Sequence, residues 1–189
     1  KEINNDLSSK NKMFRLLQGD VGSGKTIVAL ISALNVIESG CQVALMAPTE
    51  ILAMQHYKLA KSLFSKKINL EILTSKTEYI KKKEIHREIS NKKINMIFGT
   101  HSLFQKKINF SNLGYIIIDE LHKFGVRQRK QLSDKGGDNC DVLLMSATPI
   151  PRTLIMSVYG DMDISIIKEK PNHRKEIKTY SKLENKLED

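Results

Sequence analysis

Short runs that are apolar almost throughout, separated by longer stretches of helical period, constrain this 189-residue chain more than any other feature. The runs are Met13 to Leu17, Gln42 to Ala47, Leu70 to Leu73, Asn95 to Phe98, Tyr115 to Ile118, Val142 to Met145 and Ile164 to Ile167. A strand covered by helices on both faces needs this continuous pattern, whereas an antiparallel strand with one wet face alternates. Strands that alternate with helical segments make repeated β-α units around a parallel sheet. The pattern therefore predicts an α/β, three-layer sandwich with a mostly parallel sheet, and the length fits one core.

Lys25 to Ser39 is apolar almost all round and stops at Gly40, which suits the left-handed turn after a helix, so a buried helix is expected there. Thr49 to Phe64 is amphipathic. Glu78 to Ser90 mixes Lys81, Lys82, Lys83, Glu84, Arg87 and Glu88 and reads as an exposed helix with a solvated face. Gly136 and Gly137, between charged neighbours, mark a surface loop. Arg174 to Tyr180 is expected to be a last strand or a linker. Cys41 and Cys140 lack the spacing of a zinc site and read as buried free thiols.

The formal net charge is +10, which suits a polyanionic partner. Only Arg15, Arg87, Arg127, Arg129, Arg152 and Arg174 among the 31 basic residues are arginine. The abundance of Lys, Ile and Asn matches A/T-rich codons, so the charge alone does not identify that partner. No apolar run approaches the roughly 18 residues of a membrane span, and no basic-then-apolar leader opens the chain. A cytoplasmic protein is expected, and because the chain begins with Lys, a segment of a longer one.

Gly19-Asp20-Val21-Gly22-Ser23-Gly24-Lys25-Thr26 lies between a strand and a long helix. Gly, four residues, then Gly-Lys-Thr is the phosphate-loop pattern: glycines let the backbone curl so that N–H groups and the helix N-terminus face phosphate oxygens. Lys25 is expected to reach the β and γ phosphates and the Thr26 hydroxyl to ligate Mg²⁺. The strand Tyr115 to Ile118 ends in Asp119 and Glu120. Parallel sheets gather ligands at strand C-termini, which brings these acids beside the loop. Asp119 then suits Mg²⁺, and Glu120 suits orienting and deprotonating an attacking water.

His122 completes Asp119-Glu120-Leu121-His122, and Ser146-Ala147-Thr148 follows the next apolar run. Asp-Glu-x-His together with Ser-Ala-Thr resembles superfamily 2 helicases, and the resemblance implies that His122, Ser146, Ala147 and Thr148 relay the state of the γ-phosphate. His56, His86 and His173 read as ordinary structural histidines. Residues 16–26, 44–53, 99–105, 124–129 and 146–154 resemble the first motor lobe of bacterial RecG helicases. The transcription-repair coupling factors share residues 124–127 and 147–154, but Ser23 and Met46-Ala47-Pro48-Thr49-Glu50 favour the RecG pattern. Leu121 and Lys123 stand where that pattern has Gln and Arg, and Thr74-Ser75 where it has Thr-Gly.

The resemblance implies a RecA-like lobe over residues 1–180 and the start of a linker at 181–189. It implies use of ATP and Mg²⁺ and translocation on branched double-stranded DNA at stalled forks and Holliday junctions. A second RecA-like lobe and a junction-binding domain of the same parent chain are the implied partners, in a monomer with no membrane contact. Thr49, Glu50, Thr100 and His101 are implied to lie near the DNA track. A guanine-nucleotide switch would need Asn-Lys-x-Asp, and the nearest approach, Asn185-Lys186-Leu187-Glu188, has the wrong acid.

Overall fold

Every one of the apolar runs becomes a strand. In the computed structural model, which describes residues 1–104, 108–120, 140–150 and 162–168, these are β1 (Phe14–Gly19), β2 (Gln42–Met46), β3 (Leu70–Leu73), β4 (Met96–Gly99), β5 (Leu113–Ile118), β6 (Asp141–Ser146) and β7 (Asp163–Ile167). They form one seven-stranded sheet in the order β3-β4-β2-β5-β6-β1-β7, and every pairing is parallel. The expected sheet is thus present, parallel throughout among the described residues. Among the described residues five helical elements accompany it: α1 (Glu2–Leu7), α2 (Lys25–Glu38), α3 (Glu50–Leu63), α4 (Tyr79–Ser90) and the 3₁₀ turn His101–Phe104.

Continuous apolarity has the expected cause. Leu16, Ala44, Met46, Ile97, Ile116, Ile118 and Leu144 share one cluster with Ile85 and Ile89 of α4, while Leu17, Val43, Leu45, Phe98, Tyr115, Ile117 and Leu143 pack with Ala29, Leu30 and Ala33 of α2. Neighbouring residues of one strand thus serve opposite faces, and both faces are covered. Each fully buried Leu, Ile or Phe contributes about 1.5–3 kcal/mol. Gln42, buried at the start of β2, is satisfied by the Ile89 and Ile94 carbonyls and by the Ser111 and Asn112 amides.

Two features differ from expectation. α2 is not buried all round: Ile27 and Ile31 are 37% and 53% exposed and form a stripe with Asn35 and Glu38, because a helix lying on a sheet covers only the side that faces it. The short helix α1 is also new. It is held by tertiary contacts: Ile3 is buried, and Arg15 Nε donates to Asp6 Oδ2 at 2.6 Å while its guanidinium also faces Glu2 and Asp163. The Gly136–Gly137 loop and the 174–180 segment lie outside the described residues. Gly40 ends α2 with φ 84°, in the left-handed region. Cys140 is buried, its thiol pushed up to about 12 chiefly by desolvation, and Cys41 is half-buried. Among the described residues no helix is long and apolar enough to cross a membrane.

Candidate nucleotide site and the edge beside it

Since all strands run the same way, their C-terminal ends share one edge of the sheet, where loops converge. At the end of β1 the chain curls through residues 19–24 into α2. Gly22 and Gly24 have φ 79° and 92°, which a side chain disfavours. A Cβ on Gly19 would stand 2.6 Å from Ser23 Oγ and 3.1 Å from Ile167 Cβ, so the curl closes only over glycine. Lys25 is buried at the first turn of α2, and its Nζ donates to the Gly19 and Asp20 carbonyls at 2.7 and 2.9 Å. Asp20 Oδ1 accepts from the Val21 amide, leaving Val21 67% exposed at the tip.

This curl fits a phosphate chain. Among the described residues no side chain caps α2 at Gly24, so its first-turn amides face the curl without a side-chain acceptor, and Ser23 Oγ is buried with no hydrogen-bond partner. Uncapped amides beside an ammonium favour an anion there. Thr26 stands on the same first turn.

β6 runs between β1 and β5, so Ser146 comes between the curl and Asp119, about 10 Å apart at the usual strand spacing. Asp119 is buried; its amide donates to the Met46 carbonyl at 2.8 Å, and its Oδ2 lies 2.7 Å from His56 Nε2. Glu120 is half-buried and held at φ 54°, in the left-handed region uncommon for a residue with a side chain. His122 lies outside the described residues. A Thr26 hydroxyl and an Asp119 carboxylate are hard oxygen donors of the kind Mg²⁺ takes in small number.

Ser146 is fully buried and closes a tight turn: its Oγ accepts from the Thr148 amide at 3.2 Å and lies 3.2 Å from Thr148 Oγ1. Ala147 is half-buried between them. Gln18, the last residue before Gly19, donates through Nε2 to the Thr148 carbonyl at 3.0 Å. The turn is thereby tied to the root of the curl. No local spacing marks Gln18 for this role; its strand register opposite Ser146 makes the link possible.

The far half of the edge holds the other candidates. Thr49 is the N-cap of α3, its Oγ1 accepting from Leu52 N at 3.3 Å. Glu50 grips the next turn: its Oε1 accepts from the Ser75 amide at 2.9 Å and from the Ser75 hydroxyl, with Lys76 Nζ 3.8 Å away. The Ser75 hydroxyl, then burial in the opposite sense, set the balance that holds the Glu50 carboxyl below its usual range. Thr100 is buried, its Oγ1 3.3 Å from Ser102 Oγ. His101 opens the 3₁₀ turn. The six loops therefore stand in a row: Thr74–Ser75, Thr100, Thr49–Glu50, Asp119–Glu120, Ser146–Thr148 and residues 19–26. A separate groove lined by Tyr57, Lys61, Phe64, Asn69 and Lys93 lies toward the strand starts and includes none of these residues.

Known proteins share both sequence and shape with this chain. Residues 1–156 match the DEAD/DEAH box helicase family. The chain is 53% identical to the ATP-dependent DNA helicase RecG of Aquifex aeolicus, over 100% of this chain and 24% of that protein. It is 49% identical to RecG of Thermotoga maritima, over 94% of this chain and 23% of that protein. A solved structure of RecG bound to a three-way DNA junction superposes with a TM-score of 0.78 at 43% identity, over 93% of this chain and 24% of that one. The chain thus spans about a quarter of the length of the curated relatives it matches. With the loop order of a RecA-like lobe and a family match over most of its length, the chain belongs to the DEAD/DEAH box helicase family, and within it its sequence is similar to RecG.

Proposed function

We propose that residues 1–180 are the ATP-binding motor lobe of an ATP-dependent double-stranded DNA translocase or helicase acting on branched DNA, including stalled forks and Holliday junctions, in recombination and repair. Residues 181–189 would begin the linker to a second RecA-like lobe. The observation that carries this reading is the row of loops: phosphate-facing groups occupy one half, capped and clamped turns the other, and Ser146–Thr148 links to the first through Gln18. A junction-bound relative of the same fold supports the branched substrate. The parent is proposed to work as a cytoplasmic monomer, with its junction-binding domain elsewhere in the same chain.

In this reading, amides of residues 22–26 bind the β and γ phosphates together with the Lys25 ammonium, whose protons now go to the Gly19 and Asp20 carbonyls. Thr26 and Asp119 would hold Mg²⁺, which when bound supplies charge neutralisation across the phosphates. Glu120 accepts the proton of the attacking water. Its left-handed backbone costs on the order of 1 kcal/mol or more, and such strain persists where the surroundings fix a functional side chain. His122, Ser146, Ala147 and Thr148 relay the phosphate state, while Thr49, Thr100 and His101 meet the DNA backbone. Glu50, as an anion, repels phosphates and acts through the Ser75 turn it grips.

The test is ATP hydrolysis by the full-length protein with and without forked duplex, for wild type and Glu120→Gln. Branched DNA should stimulate wild-type turnover. The Gln variant should bind ATP normally and hydrolyse it about 10²–10⁴-fold more slowly, the range a general base supplies. Turnover indifferent to DNA, or an unimpaired Gln variant, rejects the reading.

A further inference from the structure

His56 belongs to no motif that the sequence singled out, and nothing in the chemistry above uses it. It lies on the line Ala53, His56, Ala60 that α3 turns toward the sheet, and it is only 8% exposed. From there its Nε2 meets Asp119 Oδ2 at 2.7 Å. We propose that His56 is a positioning residue for Asp119: by donating Nε2–H to Oδ2 it holds the carboxylate in one rotamer and directs the other oxygen, Oδ1, to the ion. The inference rests on the reading of Asp119 as the Mg²⁺ ligand.

The physical case starts from the carboxylate. Its backbone is anchored by the bond from its amide to the Met46 carbonyl, but that leaves the side-chain torsions open. The hydrogen bond to His56 closes them. Among the described residues Oδ2 has that imidazole and Oδ1 has no hydrogen-bond partner, so the two oxygens are not equivalent. Against an ionised carboxylate the contact requires the proton on Nε2, which makes the imidazole a donor and not a competing ligand.

An ordinary buried histidine needs only some acceptor, and a backbone carbonyl would serve. Here the acceptor is the acid at the end of β5, reached from a helix that starts at the neighbouring strand end. α3 begins with Thr49 and with Glu50 on the Ser75 turn, and six residues on, about 9 Å along the axis, it reaches Asp119. The same helix therefore touches both halves of the loop row. Partners that orient a metal ligand are worth about 10–100-fold in metal affinity.

The experiment measures Mn²⁺ binding to the full-length protein with a non-hydrolysable ATP analogue, read by loss of the free-ion EPR signal. His56→Leu fills the site but donates nothing, and it should raise the half-saturating Mn²⁺ concentration about tenfold or more. His56→Gln, whose amide nitrogen reaches as far as Nε2, should stay within about threefold of wild type, well short of the loss expected when an orienting partner is removed. His56→Asn is polar but too short to reach Oδ2; it should behave like the Leu variant, and it carries the test if Leu prevents folding. Asp119→Asn is the control for the underlying reading. Should Asp119→Asn weaken binding while His56→Leu and His56→Asn match wild type, the proposal is overturned and the metal assignment stands. Should His56→Gln be as weak as His56→Leu, the hydrogen bond is not the cause and the proposal again fails. Unchanged binding in Asp119→Asn would overturn the metal assignment and the proposal with it.

Discussion

Gly99→Ala is expected to damage the half of the loop row assigned to DNA while sparing the nucleotide half. Gly99 ends β4, paired with Leu73 of β3 on one side and Met46 of β2 on the other. A Cβ there would stand 2.3 Å from the Leu73 carbonyl oxygen, 2.8 Å from Leu103 Cγ and 3.1 Å from Leu103 Cδ2. Close carbon–oxygen contacts in sheets lie near 3.3–3.6 Å, so the shortfall against Leu73 is about 1 Å. The Leu103 side chain can rotate away. The Leu73 carbonyl cannot, being backbone of a strand in register. Relief requires prising β3 from β4 at the edge where Thr74–Ser75 and Thr100 begin. Overpacking costs typically about 1–3 kcal/mol, and a backbone clash belongs at the upper end. For a chain of this size, about 3 kcal/mol lowers the midpoint of thermal unfolding by about 6–12 °C. Gly40→Ala is the control: its φ of 84° disfavours a side chain, yet nothing lies within 4 Å of the added atom, so only about 1–2 kcal/mol of conformational strain is expected. Calorimetry of the 189-residue chain measures both. In the full-length protein, DNA affinity should fall in Gly99→Ala while nucleotide affinity holds, because β1 lies four strands away, about 19 Å. A Gly99→Ala midpoint within a degree of wild type, or a loss no greater than that of Gly40→Ala, would refute the steric reasoning.

The remaining expectations concern single groups. Lys25→Ala should weaken ATP binding as well as turnover, since the cation acts in ground and transition states alike; isothermal titration returning wild-type affinity would remove the residue from the phosphate site. Ser146→Ala combined with Thr148→Ala opens the turn that Gln18 joins to β1, and unwinding should fall further than ATP hydrolysis, whereas equal losses would mark a purely structural role. Asp141 accepts from the Met13 amide at 2.7 Å, but burial raises its carboxyl pKa above the ordinary 3.8. Ionising it therefore costs stability as pH rises through the folded-state value. Asp141→Asn, which can still accept through its amide oxygen, should match or exceed wild-type stability at pH 7 and lose that advantage below pH 3.8, as read from denaturant midpoints. A variant clearly less stable at pH 7 would contradict this.

Strands and the phosphate curl were legible in the chain itself because their signals are local. Four to six consecutive apolar residues report two covered faces, and a Gly-x-x-x-x-Gly-Lys-Thr string reports a curl whose geometry is set by adjacent peptides. Gly40 as a helix stop is read in the same way, from neighbours within a turn. Helix α1 was not legible. Six residues with few apolar positions cannot form a helix alone, and its anchors, Arg15 on β1 with Ser165 and Asp163 on β7, come together only when those strands pair. The exposed Ile27–Ile31 stripe was equally hidden, since composition shows that a helix is apolar but not how much of its circumference the sheet can reach. The site divides along the same line. Lys25, Thr26, Asp119 and Ser146 could be picked out by spacing, whereas Gln18 on Thr148, Glu50 on Ser75 and His56 on Asp119 join residues 130, 25 and 63 positions apart. Such contacts depend on strand order. Placing β6 beside β1, and β5 beside β2, is decided by which faces pack best across the whole sheet, a long-range choice that no window of the sequence contains.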